Sequence, residues 1–458
     1  MAIVAPFKGL RFNPEKINRL EDVVTPPYDV ISAEDGLKFL EKNMYNMIQL
    51  DLRNASHNGE DDEGRYDQAR DLFEDWQEKG ILVRDGKPAI YLYYIDYVHP
   101  SGRRMTRKGL ISLVGLAEFS EGIVKPHEKT FDAVITDRMQ LMEKCRAQFS
   151  KVFSIYPDGE RFVVGTLESA REERPVCSVH DHLGNTHTLW RVTEPEVIGS
   201  VMRYFRDRPV YIADGHHRYT TALGCLKKMR ERCPDLPPDS PYNFIMMYLC
   251  AAEDEGLSIL PTHRLVKYPG ELTADQAAAR ISDHFVVEEI TEGSREVLVE
   301  EVLSRMNEVD IAQSPPVFGM YHAGEDRCFF LTMRETPERC PDLNDRPAVL
   351  RRLDVVVFSE LVLEGMLDLD HERVVREKLV SYFSDPDEAM DVAVKKSITD
   401  DSVSPLLFLL NPTRIGQVID VADRGEIMPH KSTYFYPKIM TGLLINKLVE
   451  GEKIHTAG

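Results

Sequence analysis

The chain has 458 residues, 43% of them hydrophobic and 29% charged, a composition that excludes a disordered or low-complexity protein and calls for more than one core. Its formal charge of −20 sets it against a nucleic-acid backbone, and the densest basic runs, 103–108 and 227–232, hold only four cations each. Seven cysteines without a C-x-x-C pair argue against a disulfide framework or structural zinc. The opening residues lack a signal-peptide pattern, and the longest apolar run, 244–252, is too short to span a membrane. A cytoplasmic protein with reduced thiols, no nucleic-acid partner and no membrane partner is expected.

In chain order, 6–32 is rich in proline and turn residues. The Thr25-Pro26-Pro27-Tyr28-Asp29-Val30 stretch should begin extended, because proline disfavours helix at the residue before it. Apolar residues at helical spacing (Ala69, Leu72, Phe73, Trp76) predict an amphipathic helix over 66–80 that stops at Gly80. The runs 89–95 and 107–118 read as a hairpin around Pro100-Ser101-Gly102. A helix over 137–147, a strand over 152–156 and a Glu-rich helix or loop near 170 follow.

Residues 196–230 read helix, strand, turn, helix, and 244–251 reads as an apolar strand. Helices over 277–285 and 294–306 alternate with strands at 285–290, 316–321 and 328–333. Leu353, Val356, Val357, Leu361 and Leu363 supply an apolar helix face, and 406–410 followed by 414–424 resembles a strand-loop-helix unit. The class is mixed α/β, or α+β with antiparallel hairpins. Two regions are expected: a catalytic one over 1–270 and a C-terminal α/β one over 271–458 that contributes the segment 428–438.

The richest chemistry lies at Asp214-Gly215-His216-His217-Arg218, where an apolar strand turns at glycine into a helix. Such an elbow aims free N–H groups and a helix dipole at one point, which suits an anion. Asp214 is a candidate base or Mg²⁺ ligand, because hard cations choose oxygen. His216, His217 and Arg218 are candidates to hold phosphate oxygens. The bland alternative is an Asp-Gly turn whose histidines satisfy local backbone, but helix-start rules account for the aspartate and not for His-His-Arg.

Pro126-His127-Glu128-Lys129-Thr130 offers Glu128 as a second candidate base, or as a loop carboxylate paired with Lys129 or Arg138. Phe131 stands where H-E-x-x-H needs histidine, so this is no zinc-protease motif. The 428–438 segment places Lys431, Ser432, Thr433 and Lys438 in a basic, hydroxyl-bearing island that attracts phosphate, or forms a Pro-bounded aromatic strand with solvated lysines. It is not a Walker loop, since G-x-x-x-x-G-K-[ST] is missing. Tyr28 and Asp29, on a loop stiffened by two prolines, are candidates to meet the ammonium of a free amino acid, or belong to a rigid arm over an apolar face. His263 and Arg264 could add a cation, though a satisfied loop histidine explains them more simply.

The Asp214–Arg218 run resembles the signature of free serine kinases of the ParB/sulfiredoxin-like superfamily. The openings at Pro6-Phe7-Lys8-Gly9-Leu10-Arg11 and Pro26–Ser32, with Pro126-His127-Glu128 and 428–438, are similar to a large prokaryotic family labelled as a domain of unknown function. The resemblance implies a ParB/sulfiredoxin-like core elaborated by flanking α/β regions. It also implies transfer of phosphate from pyrophosphate, ADP or ATP to the hydroxyl of free L-serine, with Mg²⁺ and a glutamate base. The alternative is a ParB-like nucleotide-binding switch, whose DNA-binding version would need a basic surface and a helix-turn-helix that the sequence does not show.

Overall fold

The computed structural model describes residues 2–51, 64–310, 314–400 and 402–456. Two compact units emerge, Met1–Ser258 together with Pro437–Gly458, and Ile259–Tyr436. The sequence divided the chain once, at 270; the compact units change over after Ser258 and again after Tyr436, so the last segment returns to the first unit.

In the first unit the expected hairpin forms from aromatic and β-branched runs. Ile90–Val98 pairs antiparallel with Arg104–Gly115, from Tyr91 opposite Ile111 to Val98 opposite Arg104, around a turn where Gly102 has φ +79°. The sheet runs Val124–Lys125, Val210–Asp214, Val152–Tyr156, Phe244–Ala251, Arg104–Gly115, Ile90–Val98, Thr186–Val192, Cys177–His180, with Val4–Ala5 also on Arg104–Gly115. Two pairings are parallel, Val210–Asp214 with Val124–Lys125 and Phe244–Ala251 with Val152–Tyr156; the others are antiparallel. Phe244–Ala251 is buried at every position, as a central strand covered on both faces must be. Its own Ile245, Met247 and Leu249 share a core with Tyr156, Phe205, Ile212 and Tyr219, which joins the sheet to the helices Pro195–Phe205 and His216–Arg232.

The helix predicted over 66–80 spans Arg65–Glu78, with Ala69, Phe73 and Trp76 buried and Gly80 in the left-handed region just beyond. The helix expected over 137–147 starts earlier, at Asp132, and ends at Cys145. The segment after residue 436 adds short pairings that close the unit: Thr441 bridges Thr25, Ile445 bridges Leu10, and Asn446–Lys447 pairs with Ala147–Gln148.

The second unit carries an antiparallel sheet ordered Phe285–Ile290, Arg327–Met333, Val317–His322, Val403–Leu409, His263–Pro269, Val380–Phe383. Arg295–Glu308 and Pro386–Thr399 pack on it through Val302, Met306, Ala389 and Ala393. The apolar stretch read as one helix is Asp354–Val357 continued by a π-helix, Phe358–Met366, and all five residues of its expected apolar face are buried. The mixed α/β class is borne out. Every cysteine is a free thiol, and no helix among the described residues is long and apolar enough to cross a membrane.

Candidate active site

The strand predicted before Asp214 is Val210–Asp214 and the helix after it is His216–Arg232. Against Val152–Tyr156 the strand slips register between Ile212, opposite Ser154, and Asp214, opposite Phe153. A bulge of this kind bends a strand and re-aims the side chain at its end. Gly215 has φ +95°, and a Cβ there would lie 2.9 Å from Arg218 Nε. Both the backbone conformation and the close pass of the guanidinium therefore require glycine.

Asp214 is the hub. Arg218 Nη2 donates to its Oδ2 at 2.6 Å and Lys438 Nζ to its Oδ1 at 3.0 Å. Burial alone would raise the Asp214 pKa, but Lys438 and Arg218 outweigh it and hold the carboxyl well below its ordinary value. Burial likewise works against the Arg218 charge, while Asp214 and Asp29 favour it and raise its pKa. Arg218 Nη1 also donates to the Lys151 carbonyl, and Asp29 Oδ2 lies 3.9 Å from Nη2.

His216 is buried, and its Nε2 accepts the His127 backbone N–H at 3.2 Å. Burial, then the neighbouring His127, pushes its pKa down to about 3, so the ring is neutral near pH 7. With Nε2 accepting, the proton sits on Nδ1, which faces Glu128 Oε2 at 3.6 Å. The two imidazoles meet edge to face with centroids 4.6 Å apart. His217 Nε2 accepts the Phe131 N–H at 3.0 Å, and its ring stacks on Phe131. The histidines thus fasten the 127–131 loop, and with it Glu128, to the elbow; His216 supplies no positive charge to an anion.

Pro27 is extended, as expected, but the chain then tightens into a single 3₁₀ turn, Tyr28–Val30. Arg138 lies 4.4 Å over the Tyr28 ring, and burial pushes the Tyr28 hydroxyl up to about 12. Arg138 Nη1 in turn donates to Asp51 Oδ1 at 2.8 Å, and Ser150 Oγ donates to Asp51 Oδ2 at 3.1 Å. Tyr28, Asp51, Arg138, Ser150 and Arg218 line a small cavity of about 50 Å³.

Lys431, Ser432 and Thr433 belong to the second unit, whereas Lys438 belongs to the first. Ser432 is buried, donates to the Pro429 carbonyl at 2.6 Å, and its own carbonyl accepts from Thr413 Oγ1, so its hydroxyl closes a local turn. His263 Nδ1 accepts the Leu410 N–H and Arg264 donates to the Thr262 carbonyl, so both are satisfied by backbone as expected, but on the strand His263–Pro269 rather than on a loop.

Lys151 had no place in the sequence reading. Its ammonium is buried and donates to the Met440 carbonyl at 2.9 Å, while the Met440 amide donates to Tyr93 Oη at 3.4 Å. Tyr93 Oη meets His187 Nδ1 at 2.7 Å, and His187 Nε2 meets Asp181 at 3.1 Å. Burial, then Arg218, lowers the Lys151 pKa to about 7. Two residues from Lys438, the Met440 peptide is therefore clamped on both sides. The sequence signal was a lysine abutting the mostly apolar strand Val152–Tyr156.

Asp214 does not fit a resident Mg²⁺, because each of its oxygens already faces a cation within 3.0 Å. In the second unit His284, Cys340 and Asp342 cluster, but His284 turns Nε2 to Asp342 at 3.2 Å and Nδ1 to Cys340 at 3.9 Å. Both ring nitrogens are thus engaged within the cluster.

The chain belongs to the family described as Protein of unknown function (DUF1015), which matches residues 4–356. No curated protein matches the sequence. Among solved structures it is similar to a free serine kinase variant in complex with AMP, at 12% identity, covering 73% of this chain and 92% of that one, with a TM-score of 0.33. A conserved hypothetical protein from Pyrococcus furiosus is 12% identical over 73% of this chain and 95% of its own, with a TM-score of 0.32. C-terminally truncated SbnI from Staphylococcus aureus is 10% identical over 75% and 90%, with a TM-score of 0.32.

Proposed function

We propose that this DUF1015 member is a phosphotransferase that moves a phosphoryl group from pyrophosphate, ADP or ATP to the hydroxyl of free L-serine. The observation that supports it most is the pair of cations, Arg218 and Lys438, held on Asp214 at the amino terminus of the helix His216–Arg232. Phosphoryl transfer asks the protein for fixed positive charge and N–H donors around the moving group and a carboxylate for the departing proton.

Glu128 is the base in this reading. Asp214 is held too acidic to take a proton near pH 7. Glu128 is partly exposed and faces the Nδ1–H of a neutral His216, which orients it without competing as a base. Serine Oγ attacks the terminal phosphorus, the bond from that phosphorus to the donor's bridging oxygen breaks, and the hydroxyl proton passes to Glu128. The donor leaves as phosphate or as the nucleotide shortened by one phosphate. Asp29, beside Arg218 and exposed to solvent, is the partner for the serine ammonium. Mg²⁺ accompanies the donor on the donor's own phosphate oxygens, as hard cations commonly do.

Phosphorus NMR of the purified protein with Mg²⁺, L-serine and each donor in turn tests the reading. An O-phosphoserine resonance that grows only when serine is present is the expected result. Donor hydrolysis indifferent to serine would overturn it and favour a nucleotide-driven switch.

A further inference from the structure

A cavity of about 520 Å³ in the first unit lies at the other end of the elbow helix. That volume is in the range of small-molecule sites. Its apolar lining comes from Met142, Cys225, Met229, Tyr242 and Leu448. Cys225 and Leu448 are buried, and burial keeps the Cys225 thiol protonated by pushing its pKa up to about 12. Sulfur and aromatic groups of this kind accept flat or flexible apolar bodies.

The charges at the rim narrow the ligand. Each of the four carboxylates lining the cavity already faces a cation: Glu143 with Lys228 at 3.1 Å, Glu450 with Arg146 at 3.5 Å, Asp239 with Lys453 at 3.6 Å, and Glu452 with Arg84 at 2.5 Å. Arg232, in the last turn of the helix, also lines the cavity and has no ion pair among the described residues. One positive charge is thus uncommitted.

A polyanion is disfavoured here. The helices Asp132–Cys145 and His216–Arg232 both bring their carboxyl-terminal ends to this cavity, and carbonyl ends repel concentrated negative charge. The cavity is also remote from Asp214: at about 1.5 Å rise per residue, Cys225 stands roughly 14 Å along the helix from His216.

We infer that this cavity binds a small organic monoanion with an apolar body, such as a medium-chain carboxylate or an arylsulfonate, with Arg232 receiving the head group. The inference is independent of the phosphotransferase reading.

Fluorescence titration of the full chain with 8-anilinonaphthalene-1-sulfonate, and displacement by octanoate, tests it. Near-UV circular dichroism identifies folded samples. Saturable one-to-one binding displaced by octanoate is expected. Met229→Trp, which fills the cavity, should weaken it by about tenfold or more, a loss of about 1.4 kcal/mol. Arg232→Glu, at an exposed position, should weaken the anionic dye by a similar factor and leave the neutral N-phenyl-1-naphthylamine unchanged. Absence of saturable binding, binding indifferent to Met229→Trp, or an Arg232→Glu effect equal for charged and neutral dyes would overturn it.

Discussion

At its amino-terminal end the helix His216–Arg232 meets a half-buried aspartate, two cations and a neutral histidine, beside a cavity of about 50 Å³. At its carboxyl-terminal end the same helix borders about 520 Å³ of mostly apolar space, ringed by exposed ion pairs such as Arg146–Glu450. The charges differ in what they can do. Exposed pairs contribute about 0–1 kcal/mol, whereas ions buried together act strongly on one another and on anything that enters. One end has electrostatic leverage with little room; the other has room with a single uncommitted charge.

Substitutions that separate the two ends sharpen this contrast, and Arg218→Ala should do most. It removes a cation from the elbow and half of Asp214's support, so turnover should fall about 10²- to 10³-fold and stability by about 3–5 kcal/mol. Phosphorus NMR rates and urea unfolding measure the two, and dye binding at the far end should persist in folded protein. Full turnover in this variant would dismiss the elbow as the reacting centre.

Lys438→Met should cost about 100-fold in turnover with a milder stability loss of about 1–3 kcal/mol, since Arg218 still satisfies Asp214. Equal damage to dye binding would show the ends are not separable. Gly215→Ala forces an unfavourable φ and crowds Arg218, so the urea midpoint should drop by the equivalent of about 1–3 kcal/mol. A neutral result would mean that the turn is less constrained than its geometry demands.

The smallest effect concerns pH. His216 titrates near pH 3 when folded and near 6.5 when unfolded, so between these values the unfolded chain binds the extra proton. Stability therefore falls as pH drops from about 6.5 towards 3, and His216→Asn should reduce that slope by up to about one proton. Urea unfolding between pH 4.5 and 7 measures it. An unchanged slope would place His216 in a more open setting than its contacts indicate.

Much of this was legible in the sequence. Strand, glycine and helix around Asp214 followed from an apolar run, a turn residue and helical spacing, and Phe244–Ala251 showed itself as an unbroken apolar stretch. Long-range pairings left weaker marks. Lys151 and Arg138 find their roles through residues far away in the chain, Met440 and Asp51, and no local pattern encodes such meetings. The basic island at 428–438 looked continuous because sequence adjacency says nothing of a boundary between Tyr436 and Pro437. The neutral state of His216 was equally hidden, since burial and the edge of His127 set it.

The return of Pro437–Gly458 to the first unit has a consequence for biosynthesis. A ribosome must complete Ile259–Tyr436 before the strand partners of Leu10, Thr25 and Ala147 leave the exit tunnel. Until then the nascent amino-terminal unit lacks both the Met440 carbonyl that receives the Lys151 ammonium and the lysine that sits on Asp214. Vectorial translation thus makes assembly of the charged elbow one of the last events in the maturation of this polypeptide.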